Sequence, residues 1–106
     1  MQTSSYLLPE WRSPKLKAIR SGVGDGLLAL GSEHKDVIVL TADLAASVKV
    51  REFAETYPEQ FFDVGVAEQN LAGVAAGLSF EELVPFIASY ATFSPGRNWE
   101  QVRISI

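Results

Sequence analysis

Phe61-Phe62-Asp63-Val64-Gly65-Val66-Ala67-Glu68-Gln69-Asn70, continued by Leu71-Ala72-Gly73-Val74-Ala75-Ala76-Gly77-Leu78, decides the fold. The first four residues read as a short strand. Gly65 turns the chain, and a small-residue helix is expected from about Ala67 to Leu78. A strand that feeds a helix across one glycine is half of a strand–helix–strand unit. Downstream, Val84-Pro85-Phe86-Ile87-Ala88 supplies the next strand, with Pro85 at an edge or start position, where its missing N–H costs little. Upstream, the run Val37-Ile38-Val39-Leu40 reads as a buried strand. A helix is expected from about Val48 to Thr56, stopped by Pro58.

Ser13-Pro14 suits a helix start, Ser as cap and Pro at the first helical position. Leu16, Ile19, Val23, Leu27 and Leu30 then keep a helical rhythm to about Gly31. Gly22, Gly24 and Gly26 each weaken such a helix by roughly 1 kcal/mol relative to Ala. Close packing against another element is the expected reason for all three. Asn98 to Ile106 looks helical and ends without a cap or stop signal. Residues 1–13 read as an irregular lead-in, with Pro9 and Trp11 expected against a neighbouring element, and 14–106 as part of one domain. A sheet of three strands is a thin core, so further strands are expected in the parent gene product.

The alternation of helix and strand implies an α/β fold, a layered parallel sheet with flanking helices joined by right-handed crossovers. Ligands in such sheets lie outside the carboxyl ends of the strands. Asp43, Gly65–Glu68 and Tyr90–Phe93 all fall there. Three polar or aromatic features thus converge on one edge.

Composition narrows the function classes. At 106 residues the chain holds one domain at most. It is 47% apolar and 21% charged, an ordinary globular profile. The net charge of −4, with no Lys/Arg cluster, argues against a nucleic-acid partner. With no cysteine, disulfides, thiolate metal sites and Cys nucleophiles are excluded, and a reducing, cytoplasmic setting fits. The N-terminus lacks a signal-peptide pattern, and no apolar run approaches the ~20 residues of a membrane span.

Glu68 is the candidate for chemistry. It falls in the first turn of a helix, amid the small residues Gly65, Ala67, Ala72 and Gly73. Few structural demands put an acid there with so much bare backbone; approach to a flat, polar heterocycle is one. A helix N-terminus stabilises an anion by roughly 0.3–1 kcal/mol. A charge-assisted hydrogen bond in an apolar pocket adds about 1.5–3 kcal/mol. The plain alternative is a solvated acid decorating a helix start.

Asp63-Val64-Gly65-Val66-Ala67-Glu68-Gln69-Asn70, with Ala42-Asp43-Leu44 before it and Pro85-Phe86, Ala91-Thr92-Phe93 and Arg97-Asn98-Trp99-Glu100-Gln101-Val102-Arg103 after it, resembles the pyrimidine-binding domain of transketolase. More narrowly, it resembles the C-terminal subunit of split transketolases, over about Lys15 to Ile106 and truncated relative to the family domain. The resemblance implies a thiamine diphosphate-binding pyrimidine-type fold, here incomplete. It implies an enzyme that transfers a two-carbon ketol unit between ketose and aldose sugar phosphates, as in the pentose phosphate pathway. In the family a Glu of this motif hydrogen-bonds a ring nitrogen of the cofactor's aminopyrimidine and favours its imino form; Glu68 matches it.

Phe93 matches the aromatic that packs on the pyrimidine face, core filling being its alternative. Asp43 matches an acid on the thiazolium side, or is a turn Asp. Arg97 would meet an anionic substrate, or form a surface ion pair. The resemblance also implies magnesium, held by a partner domain and not by this chain. The partner would be a transketolase N-terminal subunit carrying the diphosphate-binding domain, in a homo- or hetero-oligomer with active sites at subunit interfaces. Alternatives are 1-deoxyxylulose-5-phosphate synthase, the β subunit of a 2-oxoacid dehydrogenase, or a non-catalytic assembly module of the same fold.

Three features are set aside. Gly24-Asp25-Gly26 imitates a magnesium-diphosphate motif, but it lies inside a helical rhythm, and the only Asn residues are Asn70 and Asn98. Gly22-Val23-Gly24-Asp25-Gly26 fails as a dinucleotide loop because no strand precedes it. His34, the only His, follows a helix end and is expected in solvent. The family often has Gly-Lys where this chain has Glu82-Leu83. Gly there permits a left-handed helix cap that Glu82 cannot adopt as cheaply.

Overall fold

Val37–Thr41 forms β1, and every residue in it is buried. The computed structural model describes residues 12–106, so the expected packing of Pro9 and Trp11 lies outside the described residues. Among the described residues one sheet forms, in the order β2-β1-β3, with β2 at Phe61–Asp63 and β3 at Val84–Ala88. Both pairings are parallel. Val39, Leu40 and Thr41 face Phe61, Phe62 and Asp63 on one side. Val37 to Thr41 face Val84 to Ala88 on the other. Pro85 therefore sits on a strand at the sheet's edge, as its missing N–H requires.

The crossovers are helical. α1 spans Ile19–Glu33 before β1, α2 spans Arg51–Thr56, and a single 3₁₀ turn at Pro58–Gln60 leads into β2. α3, Glu68–Phe80, connects β2 to β3, and α4, Trp99–Ser105, follows β3. Alternate residues of β1 serve two cores. Val37 and Val39 pack with Leu27, Val48, Val50 and Phe53 on the α1–α2 side. Ile38 and Leu40 pack with Ala42, Leu71 and Ala75 on the α3 side. Full burial of a side chain such as Phe53 or Leu71 contributes roughly 1.5–3 kcal/mol, so both layers hold the sheet.

Two helix starts differ from the sequence expectation. α1 begins at Ile19, not at Ser13-Pro14, and its cap Ala18 makes no side-chain hydrogen bond. Leu16 and Ile19 are 93% and 92% exposed, so an earlier turn has no apolar surface to rest on. Short helical turns need that support to persist. α2 begins at Arg51, not Val48, because Lys49 takes φ 66°, which a helix cannot continue through. Close packing explains Gly24 and Gly31 but not Gly22 or Gly26. A Cβ on Gly24 would strike the Lys49 carbonyl, and one on Gly31 would meet the Phe53 and Tyr57 rings at 2.6–2.9 Å. Nothing lies within 4 Å of such an atom on Gly22 or Gly26.

Glu82 adopts φ 61°, the left-handed conformation that glycine takes cheaply, between α3 and β3. Gly24-Asp25-Gly26 lies inside α1, where Asp25 pairs with exposed Lys17 at 2.7 Å. His34 is exposed just past α1.

Candidate functional site

The carboxyl ends of the strands are tied together by one side chain. Asp63 Oδ1 accepts the N–H of Asp43 at 2.8 Å and of Gly65 at 2.9 Å. The exits of β1 and β2 are thereby fixed to each other. Gly65 turns the chain with φ 72°, a conformation that favours glycine. Ala67 caps α3 without a side-chain bond, so the N–H groups of the first turn, beside Glu68, receive no cap from it.

Glu68 is the first residue of α3, and its side chain is only 4% exposed. Its carboxylate is not bare. Arg97 Nη1 donates to Glu68 Oε1 at 2.7 Å. The Arg97 side chain is itself 54% exposed, so the pair has one buried partner and one at the surface. The guanidinium carbon of Arg97 also lies 4.3 Å from the centre of the Phe93 ring, a cation–π distance. Tyr90 and Phe93 form a tilted aromatic pair 5.8 Å apart.

The segment after β3 is built to bring these groups together. Phe93 and Ser94 N–H groups donate to Tyr90 O, and Arg97 N–H donates to Phe93 O. Gly96 folds so tightly on the Thr92 carbonyl that no Cβ fits between them. Asn98, fully buried, donates from Nδ2 to Glu68 O at 3.0 Å and to Ser94 Oγ at 3.0 Å. It stands at the N-cap of α4 but does not cap that helix. A hollow of about 480 Å³ adjoins the cluster, lined by Val66, Ala67, Glu68, Gln69, Asn70 and Arg97. An added Cβ on Gly65 or Gly73 would meet nothing within 4 Å, so backbone is open to close approach there.

Of the residues singled out by sequence, Glu68, Phe93 and Arg97 thus come together around one guanidinium. Asp43 does not join them. It is exposed, at φ 59°, and is linked to the cluster only through its N–H to Asp63 and from there to Gly65. Asn98 and Asp63 escaped the sequence reading as organisers of the site. Asn98 offered one signal: an amide side chain directly before a helix with an acid in its first turn, next to a site arginine. Among the described residues no three His, Cys, Asp or Glu side chains are grouped to hold a metal ion. No described helix is long and apolar enough to cross a membrane.

A parallel sheet with helices on its two faces, and a buried acid at a helix N-terminus by its carboxyl edge, define an α/β domain of the layered type. The chain belongs to the transketolase pyrimidine-binding domain family, whose model matches residues 15–106. It is similar to a Methanocaldococcus jannaschii protein named as a transketolase C-terminal section, 44% identical over 87 residues, covering 82% of this chain and 28% of that protein. It is similar to 1-deoxy-D-xylulose-5-phosphate synthase 2 of Kitasatospora griseola, 43% identical over 83 residues, covering 78% of this chain and 13% of the synthase. A solved structure described as split gene transketolase, inactive beta4 tetramer, superposes with a TM-score of 0.73 at 48% identity. That match covers 82% of this chain and 29% of the other. The chain spans less than a third of the length of these relatives.

The residues present fit a flat heterocycle with ring nitrogens. Glu68 offers a buried carboxylate, Phe93 a ring face, and Gly65 and Gly73 leave backbone without side-chain bulk nearby.

Proposed function

We propose that this chain is the cofactor-base-binding part of a thiamine diphosphate-dependent transketolase, which moves a two-carbon ketol unit between ketose and aldose sugar phosphates. The observation that carries the reading is the buried Glu68 carboxylate at the N-terminus of α3, with Phe93 held beside it through Arg97. When bound, thiamine diphosphate supplies a thiazolium carbon able to act as the nucleophile toward a sugar carbonyl. Glu68 would hold the proton shared with a ring nitrogen of the aminopyrimidine. Burial keeps water from competing for that carboxylate, and the α3 N-terminus favours its charge. Phe93 would cover the ring face, a contact worth roughly 0.5–1.5 kcal/mol beyond area. Asp43 would serve the thiazolium side, and Arg97 an anionic sugar phosphate.

Magnesium and the diphosphate are assigned to a partner chain carrying the diphosphate-binding domain. The relative described as an inactive tetramer supports the need for such a partner. The test is the chain assembled with that partner, magnesium and cofactor. Glu68→Gln should lower ketol transfer by about 10²–10⁴-fold, the usual range for one acid–base group, with an unchanged circular dichroism spectrum. Undiminished turnover in that variant would remove Glu68 from the reaction.

A second reading, 1-deoxyxylulose-5-phosphate synthase, is supported by the 43% identity to that enzyme of Kitasatospora griseola. Turnover of ketose plus aldose phosphates supports the first reading. Turnover of pyruvate plus glyceraldehyde 3-phosphate alone would replace it with the second.

A further inference from the structure

Arg97 makes both contacts that the proposed function gives to the cofactor's base. Nη1 donates to Glu68 Oε1 at 2.7 Å, and the guanidinium carbon lies 4.3 Å from the Phe93 ring centre. A guanidinium is flat and conjugated, with N–H donors along its rim. It therefore satisfies a carboxylate and an aromatic face together, as a flat aminopyrimidine would. We propose that Arg97 is a displaceable stand-in for the cofactor base: the Arg97–Glu68 pair and base binding exclude each other, and the base must evict Arg97 to reach Glu68. This rests on the thiamine diphosphate reading above.

Three features suit an exchange of partners. The Glu68 side chain is 4% exposed, so its carboxylate depends on a partner and cannot simply turn to water. The Arg97 side chain is 54% exposed and can move outward with its charge solvated. Asn98 joins Glu68 O to Ser94 Oγ whether or not Arg97 is paired, so the backbone on both sides of the site stays joined. The switch needs only a change of side-chain rotamers. Once released, the Arg97 cation stands free beside the site, available to a substrate anion only after the base has bound. Cofactor is thereby ordered ahead of sugar phosphate.

A pair closed nine-tenths of the time weakens apparent affinity about tenfold. Calorimetric titration of thiamine diphosphate with magnesium into the assembled complex tests this. Arg97→Ala is expected to bind cofactor about tenfold more tightly than wild type, and Arg97→Lys, which keeps the charge but not the flat stacking group, to fall between. In the wild type, the Arg97 side-chain N–H signals in nuclear magnetic resonance should move toward solvent-exposed positions as cofactor is added. Equal or weaker binding by Arg97→Ala, with Glu68→Gln weakening uptake relative to wild type, overturns the stand-in role and leaves the cofactor reading intact. No uptake by any variant or by wild type overturns both.

Discussion

Asn98 Nδ2 donates to the main-chain oxygen of Glu68 at 3.0 Å, across 30 residues of sequence. The bond fixes the first residue of α3 from the far side of the sheet edge. The same Nδ2 donates to Ser94 Oγ, while Asn98 Oδ1 is buried without a partner. The amide is oriented by its neighbour, since a carbonyl oxygen can only accept.

Asn98→Ala should therefore cost about 1–3 kcal/mol, the penalty for leaving buried acceptors unpaired. Asn98→Asp should cost more, because it sets a carboxylate against the Glu68 carbonyl. Urea denaturation of the two variants checks the order. A smaller loss for Asp than for Ala would remove the amide's role.

Asp63 is exposed, yet it ties two strand exits through one oxygen. Water can replace it at both N–H groups, so Asp63→Ala should cost only about 1 kcal/mol globally. The local effect should be larger. Hydrogen exchange at the Asp43 and Gly65 amides is expected to rise severalfold while that of β1 stays slow. Uniform acceleration across the chain would contradict a local role.

Glu82 holds φ 61° with a Cβ, at a cost of roughly 1–2 kcal/mol that glycine avoids. Glycine's freer unfolded chain takes back part of the gain. Glu82→Gly should still raise stability by about 0.5–1 kcal/mol, read as a higher thermal midpoint. A lowered midpoint would mean that the Glu82 side chain contributes more than its backbone costs.

Two glycines of α1 should respond in opposite directions. Gly26→Ala meets open space and gains helix propensity, about 0.5–1 kcal/mol in favour of the fold. Gly31→Ala drives a methyl group into the Phe53 and Tyr57 rings and should cost about 1–3 kcal/mol. Equal shifts in denaturation midpoint would show that α1 does not pack on α2 through Gly31.

What the sequence announces here is whatever depends on near neighbours. The β-branched run of Val37–Leu40, the glycine at 65 and the Val84–Ala88 segment all form as local pattern demands. The starts of α1 and α2 were not legible. One depends on whether anything covers Leu16 and Ile19, the other on Lys49 folding into space left by Gly24. Neither condition is local. The same divide runs through the site. Glu68 is marked by its position after a strand and a glycine. Its bond to Arg97 and its backbone tie to Asn98 follow from how the turns at 90–97 fold back, which side-chain spacing does not encode.

β1 is apolar on both faces, and that has a consequence for alignment. Sliding it so that each residue takes its predecessor's place would trade Val37 and Val39 for Ile38 and Leu40 between the two cores and add only Ala42 to the strand, with no new polar side chain inward. Greasiness alone is nearly blind to such a slip. Two polar bolts are not. At one end Gln60 Nε2 reaches the oxygens of His34 and Val37; at the other, Thr41 Oγ1 reaches that of Ala88. A misaligned strand would strand a buried amide and a buried hydroxyl together. The height at which Glu68 and Phe93 flank Arg97 is thus calibrated by two side chains that belong to neither.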